Sequence, residues 1–314
     1  MSLLVAVTGW IPDQWLSFFR VEASGIDVVE TSAAFDPEAI EYAAVWKPEP
    51  GLLARLPNLK AAFNLGAGVD ALMADKTLPD IPIVRVVDPD LTQRMTEYVV
   101  WQVLHHHRGG FHYTAMQAAR TWKPIPDQPA AADVRVGILG LGVLGRDAAG
   151  ALLRLGFQVS GWSRSGVTMA GVTTYAGDGE LDAFLAGTDI LVVLLPLTDE
   201  TEGMLNRSLF AKLARDGRLG GPVLINAGRG GLQIEQDLVD CLNDGTLIGA
   251  SLDVFDPEPL PPTSLLWSHP RVVVTPHVAA DSDPRHLAKY VVQQIRRHQA
   301  GEPLLNVVDR TKGY

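Results

Sequence analysis

The sequence predicts an α/β protein built as two doubly wound parallel-sheet domains, and three observations carry that prediction. Short apolar runs alternate with helix-length segments along the whole chain, which is the pattern of βαβ units. The runs fall into two series separated by a stretch of different character. At 314 residues the chain also exceeds the size, roughly 250–300 residues, at which one core stops growing.

In the first series, residues 3–7, 26–29, 43–46, 60–65 and 83–87 read as buried strands, because they are predominantly apolar. Between them, residues 11–21 and 52–56 have helical spacing. The second series comprises residues 134–139, 158–162, 190–195, 222–226, 248–252 and 272–275. Separating the two, residues 94–133 begin as an amphipathic helix through Glu97, Val100 and Leu104 and then turn polar and aromatic. That segment ends in Trp122-Lys123-Pro124-Ile125-Pro126 with Pro129 beyond, a linker or a protruding arm. Residues 284–300 read as a helix that returns to the first domain. The expected division is residues 1–100 with 283–314 as one domain and 101–282 as the other, with the arm near 101–130.

Composition narrows the function. A hydrophobic content of 47% and a charged content of 20% suit a globular protein with a sizeable core. The net charge of −10 argues against a general nucleic-acid binder, which needs a basic face. No apolar run approaches the roughly 20 residues that span a bilayer. The opening Met1-Ser2-Leu3-Leu4-Val5 has no basic residue before its apolar stretch, so it reads as a strand and not as a signal peptide. The single cysteine, Cys241, excludes an internal disulfide and fits a reducing cytoplasm.

The clearest motif is Gly140-Leu141-Gly142-Val143-Leu144-Gly145. A strand precedes it, an apolar helix follows at 148–155, and another strand begins at 158. In that setting the glycines permit a tight turn, close approach of a pyrophosphate and close helix–strand packing. Phosphates then sit at the helix N-terminus, where free N–H groups favour anions. At the end of the next strand, an acid would accept from the 2′-hydroxyl of NAD. This chain has Ser163-Arg164-Ser165 there. Either Arg164 is a solvated surface arginine, or it clamps a 2′-phosphate; the absence of a repelling carboxylate favours NADPH over NADH.

Three more segments close strands of the second series, where doubly wound folds place their ligands. They are Asn226-Ala227-Gly228-Arg229-Gly230-Gly231, the run from Asp253 through Glu258 to Leu260, and Thr275-Pro276-His277. A histidine can both give and take a proton near neutrality, a carboxylate orients its ring, and an arginine binds a carboxylate while polarising a carbonyl. Together they suit hydride reduction of a 2-oxo acid, with His277 as acid–base, Glu258 tuning it and Arg229 binding substrate. Asp253 is a candidate for holding the nicotinamide carboxamide.

These segments, with Leu195-Pro196-Leu197-Thr198-Asp199-Glu200-Thr201, resemble the D-isomer-specific 2-hydroxyacid dehydrogenase family over nearly the whole chain. Asn64-Leu65-Gly66-Ala67-Gly68-Val69-Asp70, Ala44-Val45-Trp46-Lys47-Pro48 and the run from Val308 to Tyr314 are similar to its glyoxylate/hydroxypyruvate reductase A subgroup. The resemblance implies a flavodoxin-like substrate domain made from both chain ends, a central Rossmann domain and a homodimer. It places Arg229, Glu258 and His277 in the catalytic positions. It implies a dinucleotide site at Gly140, Gly142, Val143, Leu144, Gly145, Ser163, Arg164, Ser165, Leu195, Pro196, Ala227, Arg229, Asp253 and His277. For the substrate it implies Gly66, Ala67 and Gly68, whose N–H groups form a backbone nest or merely a strand-to-helix turn. Trp46 either walls the pocket or packs in the core. The expected reaction reduces glyoxylate to glycolate and hydroxypyruvate to glycerate.

One departure concerns Ser282-Asp283-Pro284, where the family pattern suggests a Thr-Arg-Pro-like run; Asp283 in place of a positive residue is expected to alter how an anionic substrate is held or to shift which 2-oxo acid is preferred. His105-His106-His107, with His112 nearby, points around a helix and not at one ion, so no metal is expected and a dimer contact is. The rival function is a dinucleotide-sensing corepressor on the same fold, disfavoured by the complete catalytic set and the lack of a basic region. A methyltransferase using the glycine turn would leave Arg229, Glu258 and His277 without a purpose.

Overall fold

A computed structural model describes residues 2–9 and 11–310; the last four residues of the C-terminal run quoted above lie outside the described residues. In chain order the first elements are β1 (Ser2–Val7), α1 (Pro12–Glu22), β2 (Asp27–Glu30), β3 (Ile40–Trp46), β4 (Ala61–Asn64), α2 (Asp70–Met73) and β5 (Ile83–Arg85). There follow α3 (Pro89–His107), α4 (Gly110–Ala118), β6 (Arg135–Leu139), α5 (Val143–Arg154), β7 (Gln158–Ser163), β8 (Thr173–Ala176) and α6 (Gly177–Ala186). The last are β9 (Ile190–Val193), α7 (Arg207–Phe210), β10 (Val223–Asn226), α8 (Glu235–Asp244), β11 (Gly249–Leu252), β12 (Val272–Val274) and α9 (Pro284–Gln299).

Both ends of the chain build one unit, residues up to Leu91 with those from Ser282, and Thr92–Asp281 build the other. The division thus falls nine residues before the expected one, inside α3. The cause is the buried stripe of that helix: Met95, Tyr98, Val99 and Val103 pack with Val136 and Ile138 of β6, so α3 joins the second unit after its first turn.

In the first unit β1 to β5 pair in parallel, in the order β2-β1-β3-β4-β5, the flavodoxin-like arrangement, and a single antiparallel bridge joins Val84 to Val307. Alternation along each strand sends side chains to two cores. Leu3, Val5, Tyr42 and Phe63 meet Trp15, Phe19, Leu287, Val291 and Ile295 of α1 and α9. Leu4, Ala6, Ala43 and Val45 meet Leu52, Leu53 and Leu56 on the other face. Residues 52–56 form a single 3-10 turn, Leu53–Arg55, too short to be the helix their spacing suggested.

The second unit has a seven-stranded parallel sheet, β12-β11-β10-β9-β6-β7-β8, the doubly wound Rossmann order with its switch point between β6 and β9. Six of these strands match the second apolar series. The seventh, β8, escaped the reading because it is a half-exposed edge strand whose sequence, Thr-Thr-Tyr-Ala, is not an apolar run. No helix among the described residues is long and apolar enough to cross a membrane.

Candidate active site

Every residue expected to act in the second unit follows the C-terminal end of a strand, which is where the doubly wound topology opens a crevice. After β6, Gly140 adopts φ +118 and a Cβ there would lie 2.9 Å from the Leu194 carbonyl oxygen. At Gly145 a Cβ would stand 2.0 Å from the Gly140 oxygen, so α5 packs against the turn only with glycine. Gly142 is different, because nothing lies within 4 Å of its added Cβ. That open space, beside the unpaired first-turn N–H groups of α5 at Val143 and Leu144, is where a pyrophosphate fits. Across it, Leu195 and Pro196 follow β9, and Ala227, 7% exposed, follows β10.

At the end of β7, the Ser163 hydroxyl is buried and has no hydrogen-bond partner among the described residues. An orphaned buried hydroxyl is uncommon in native proteins and fits a ligand atom at this place. Arg164 and Ser165 are exposed, and the Arg164 guanidinium pairs with the Glu200 carboxylate on the loop after β9. The residues present therefore suit a dinucleotide with a 2′-phosphate.

The next two loops are locked together. Asn226 is fully buried; its amide donates to the Arg229 carbonyl (3.1 Å) and to Gln233 Oε1 (3.0 Å), while its oxygen accepts from the Gly228 N–H (3.0 Å). Gln233 in turn donates to the Val254 carbonyl at 3.2 Å, tying the Arg229 loop to the one after β11. A Cβ on Gly230 would sit 2.0 Å from the Phe255 carbonyl, so these loops touch backbone to backbone. Arg229 itself is half-buried, extended at φ −144, and donates through Nη1 to the Gly228 carbonyl at 2.7 Å.

Glu258 and His277 meet directly. His277 Nδ1 lies 3.0 and 2.9 Å from the two carboxylate oxygens of Glu258, and Oε1 also accepts from the Phe255 N–H at 3.1 Å. A carboxylate only accepts, so Nδ1 carries the hydrogen and Nε2 is the nitrogen left for chemistry. Both side chains are about a quarter to a third exposed, at 25% and 34%. His277 holds the left-handed φ of 57, uncommon for a residue with a side chain. Asp253, 1% exposed, accepts from Thr275 Oγ1 at 2.6 Å and from the Val278 and Ala279 N–H groups at 2.9 Å each. Its described partners are thus the loop around His277, a connection its expected contact with nicotinamide did not anticipate.

In the first unit, Asn64 is 3% exposed and its amide donates to the Gly66 and Gly68 carbonyls, 2.8 Å each. Both carbonyls are thereby engaged from within the loop. Trp46 closes β3 half-buried, and a Cβ on Gly66 would come within 2.1 Å of its ring, so the indole rests on the glycine itself. Asn64 and Gln233 were missed as residues that brace these loops; an amide side chain beside a glycine-rich run was the available signal in each case.

Asp283 is the N-cap of α9. Its carboxylate accepts from the Arg285 N–H at 2.9 Å and from Arg285 Nε at 3.0 and 3.1 Å, and this pairing holds it down at about 2. The three consecutive histidines diverge. His105 packs edge-on against Phe111 (4.7 Å), His106 Nε2 bonds Ser251 Oγ (2.8 Å) and His107 packs on Phe157 (5.1 Å). Elsewhere among the described residues, Asp88, Asp90 and His286 bring potential ligand atoms within 4.8 Å of one another, though Asp88 also accepts from the Leu91 N–H as a cap of α3.

Comparison with known proteins agrees with this geometry. Residues 100–279 match the model of the D-isomer specific 2-hydroxyacid dehydrogenase, NAD binding domain. The chain is 41% identical over 306 residues to glyoxylate/hydroxypyruvate reductase A of Klebsiella pneumoniae strain 342, and 42% identical over 306 residues to that of Enterobacter sp. strain 638, covering 96% of each chain in both cases. Among solved structures, an NADPH-dependent glyoxylate/hydroxypyruvate reductase from Sinorhizobium meliloti, in complex with NADP and sulfate, superposes with a TM-score of 0.96 at 48% identity, covering 100% of this chain and 99% of that one. A probable 2-hydroxyacid dehydrogenase from Rhizobium etli, in complex with NADP, HEPES and tartaric acid, gives 0.94 at 47% identity with the same coverage. With the motif spacing, the sheet orders and the matched length in accord, the chain belongs to the D-isomer specific 2-hydroxyacid dehydrogenase family.

Proposed function

We propose that the protein is an NADPH-dependent reductase of small 2-oxo acids, converting glyoxylate to glycolate and hydroxypyruvate to glycerate. The observation that carries this reading is the His277–Glu258 pair at 2.9 Å, set at the strand ends of a dinucleotide-binding sheet. Gly140, Gly142, Val143, Leu144 and Gly145 cradle the pyrophosphate, and Ser163, Arg164 and Ser165 take the 2′-phosphate. Leu195, Pro196, Ala227 and Asp253 line the nicotinamide end. When bound, NADPH supplies the hydride to the carbonyl carbon. Arg229 binds the substrate carboxylate and polarises the carbonyl, lowering the cost of charge on its oxygen. His277 Nε2 gives that oxygen a proton while Glu258 holds Nδ1–H and steadies the imidazolium. Gly66, Ala67 and Gly68 offer N–H groups to the substrate carboxylate, and Trp46 backs that loop.

We also read the protein as a cytoplasmic homodimer that joins through residues 101–130. In support, α4 buries none of its residues within its own chain and Trp122 is 100% exposed. Sedimentation as a monomer would refute the dimer.

The test is oxidation of NADPH, followed by its near-ultraviolet absorbance, with glyoxylate, hydroxypyruvate and bulkier 2-oxo acids. Turnover is expected with the two small acids, and faster with NADPH than with NADH. His277→Ala should lower kcat by about 10²–10⁴-fold while NADPH still binds. Tight dinucleotide binding without turnover on any acid would overturn the proposal in favour of a dinucleotide sensor.

A further inference from the structure

The loop that presents His277 is fastened to a single buried carboxylate. Asp253 accepts from Thr275 Oγ1 and from the N–H groups of Val278 and Ala279, and its carbonyl accepts from the His277 N–H at 2.8 Å. Such fastening is needed, because a left-handed backbone at a residue with a side chain is disfavoured and persists only where its surroundings determine it. Thr275 gives its hydroxyl hydrogen to Asp253, since a carboxylate has none to offer. The Thr275 oxygen is then the acceptor for a second hydroxyl, Tyr98 Oη, at 2.9 Å. Tyr98 stands on the core face of α3, 6% exposed, between Met95 and Val99. Burial and the nearby Asp253 push its phenol well above the usual range, so it remains a donor.

The hydrogen bonds therefore run in one direction, Tyr98 to Thr275 to Asp253, and end on the loop of His277. We infer that the Tyr98 hydroxyl is a positioning group for His277, anchoring the strained loop to the rigid helix α3. The inference rests on reading His277 as the proton donor. Without the Tyr98 hydroxyl, the Thr275 side chain loses one of its two fixed partners. The Asp253 carboxylate then holds the 277–279 turn less firmly, and His277 departs from its alignment with Glu258.

The experiment compares Tyr98→Phe, Thr275→Val, Thr275→Ser and the double variant Tyr98→Phe/Thr275→Val. Steady-state rates, NADPH affinity and thermal stability are measured for each. Tyr98→Phe should lower kcat by about tenfold, with NADPH Kd and the KM for glyoxylate within about twofold, because misplacement of a reacting group acts on the chemical step. Thr275→Ser keeps the hydroxyl and should keep the rate. The double variant should be no slower than Thr275→Val alone, as expected for two members of one chain. A wild-type kcat in Tyr98→Phe, multiplying losses in the double variant, or a parallel loss of Tm, kcat and KM would overturn the role. Absence of turnover in the unmodified protein would instead refute the proposed function.

Discussion

At the residue scale, Arg164, proposed to take the 2′-phosphate, is already engaged within its own chain. Its ion pair with Glu200 is solvent-exposed, with side chains 41% and 68% accessible, and such pairs contribute about 0–1 kcal/mol. A 2′-phosphate brings more charge and more acceptor oxygens, so it displaces Glu200 at small cost. Glu200→Gln is therefore expected to tighten NADPH binding by up to about fivefold and leave NADH binding unchanged. Arg164→Ala should weaken NADPH by about tenfold or more, again sparing NADH. Fluorescence titration of both dinucleotides checks this, and equal effects on the two would exclude Arg164 from the phosphate site. Arg229, Glu258 and His277 were legible because each closes a strand within a short motif. Tyr98 was not, since its partner Thr275 lies 177 residues away and no local periodicity records that pairing. Asp283 was noticed as a departure in sequence, and the structure adds a role that no motif announced: it caps α9 and pairs with Arg285.

At the scale of elements, the site depends on two loops in backbone contact. In the run Ala227-Gly228-Arg229-Gly230-Gly231, Gly230 is needed for close approach to Phe255. A methyl group there must move the loop of Arg229 away from the loop of Glu258 by an ångström or more. Gly230→Ala should then cost about 1–3 kcal/mol of stability through overpacking and about 10²-fold in kcat/KM through misplaced groups. Urea unfolding and steady-state kinetics measure the two effects separately. Wild-type kinetics in this variant would show that Arg229 and Glu258 do not need the contact. Strand positions were legible where strands are buried on both faces, as with Ile190–Val193 and Val223–Asn226, because such strands are built mainly from apolar residues. The edge strand Thr173–Ala176 was lost for the converse reason.

The whole molecule responds to acid through groups that its sequence made conspicuous for another reason. His106 donates from Nε2 to Ser251, whose hydroxyl gives its own hydrogen to Gln102 at 2.7 Å, and burial of the ring favours its neutral form. Burial, with His105 beside it, pushes His106 down to about 3, and burial also lowers His105 and His107. In the unfolded chain a histidine titrates near 6.5. Between those values the unfolded state binds the proton and the folded state does not, so the contribution is complete above about 6.5 and is lost as pH falls toward 3. Each group changes stability by at most about 1.4 kcal/mol per pH unit in that window. The paired carboxylates act lower: Asp216, Asp244 and Asp283 are held down by Arg135, by Thr246 with Arg207, and by Arg285, and their contributions fall away only below about 4. The net charge of −10 shrinks on acidification, which relieves repulsion and opposes unfolding. A loss of stability between pH 6.5 and 5 therefore belongs to the histidines. His106→Gln, which keeps a donor toward Ser251, should flatten that decline by up to about 1.4 kcal/mol per pH unit in urea unfolding followed from pH 7 to 5. Parallel profiles for the variant and the unmodified protein would place the acid sensitivity elsewhere.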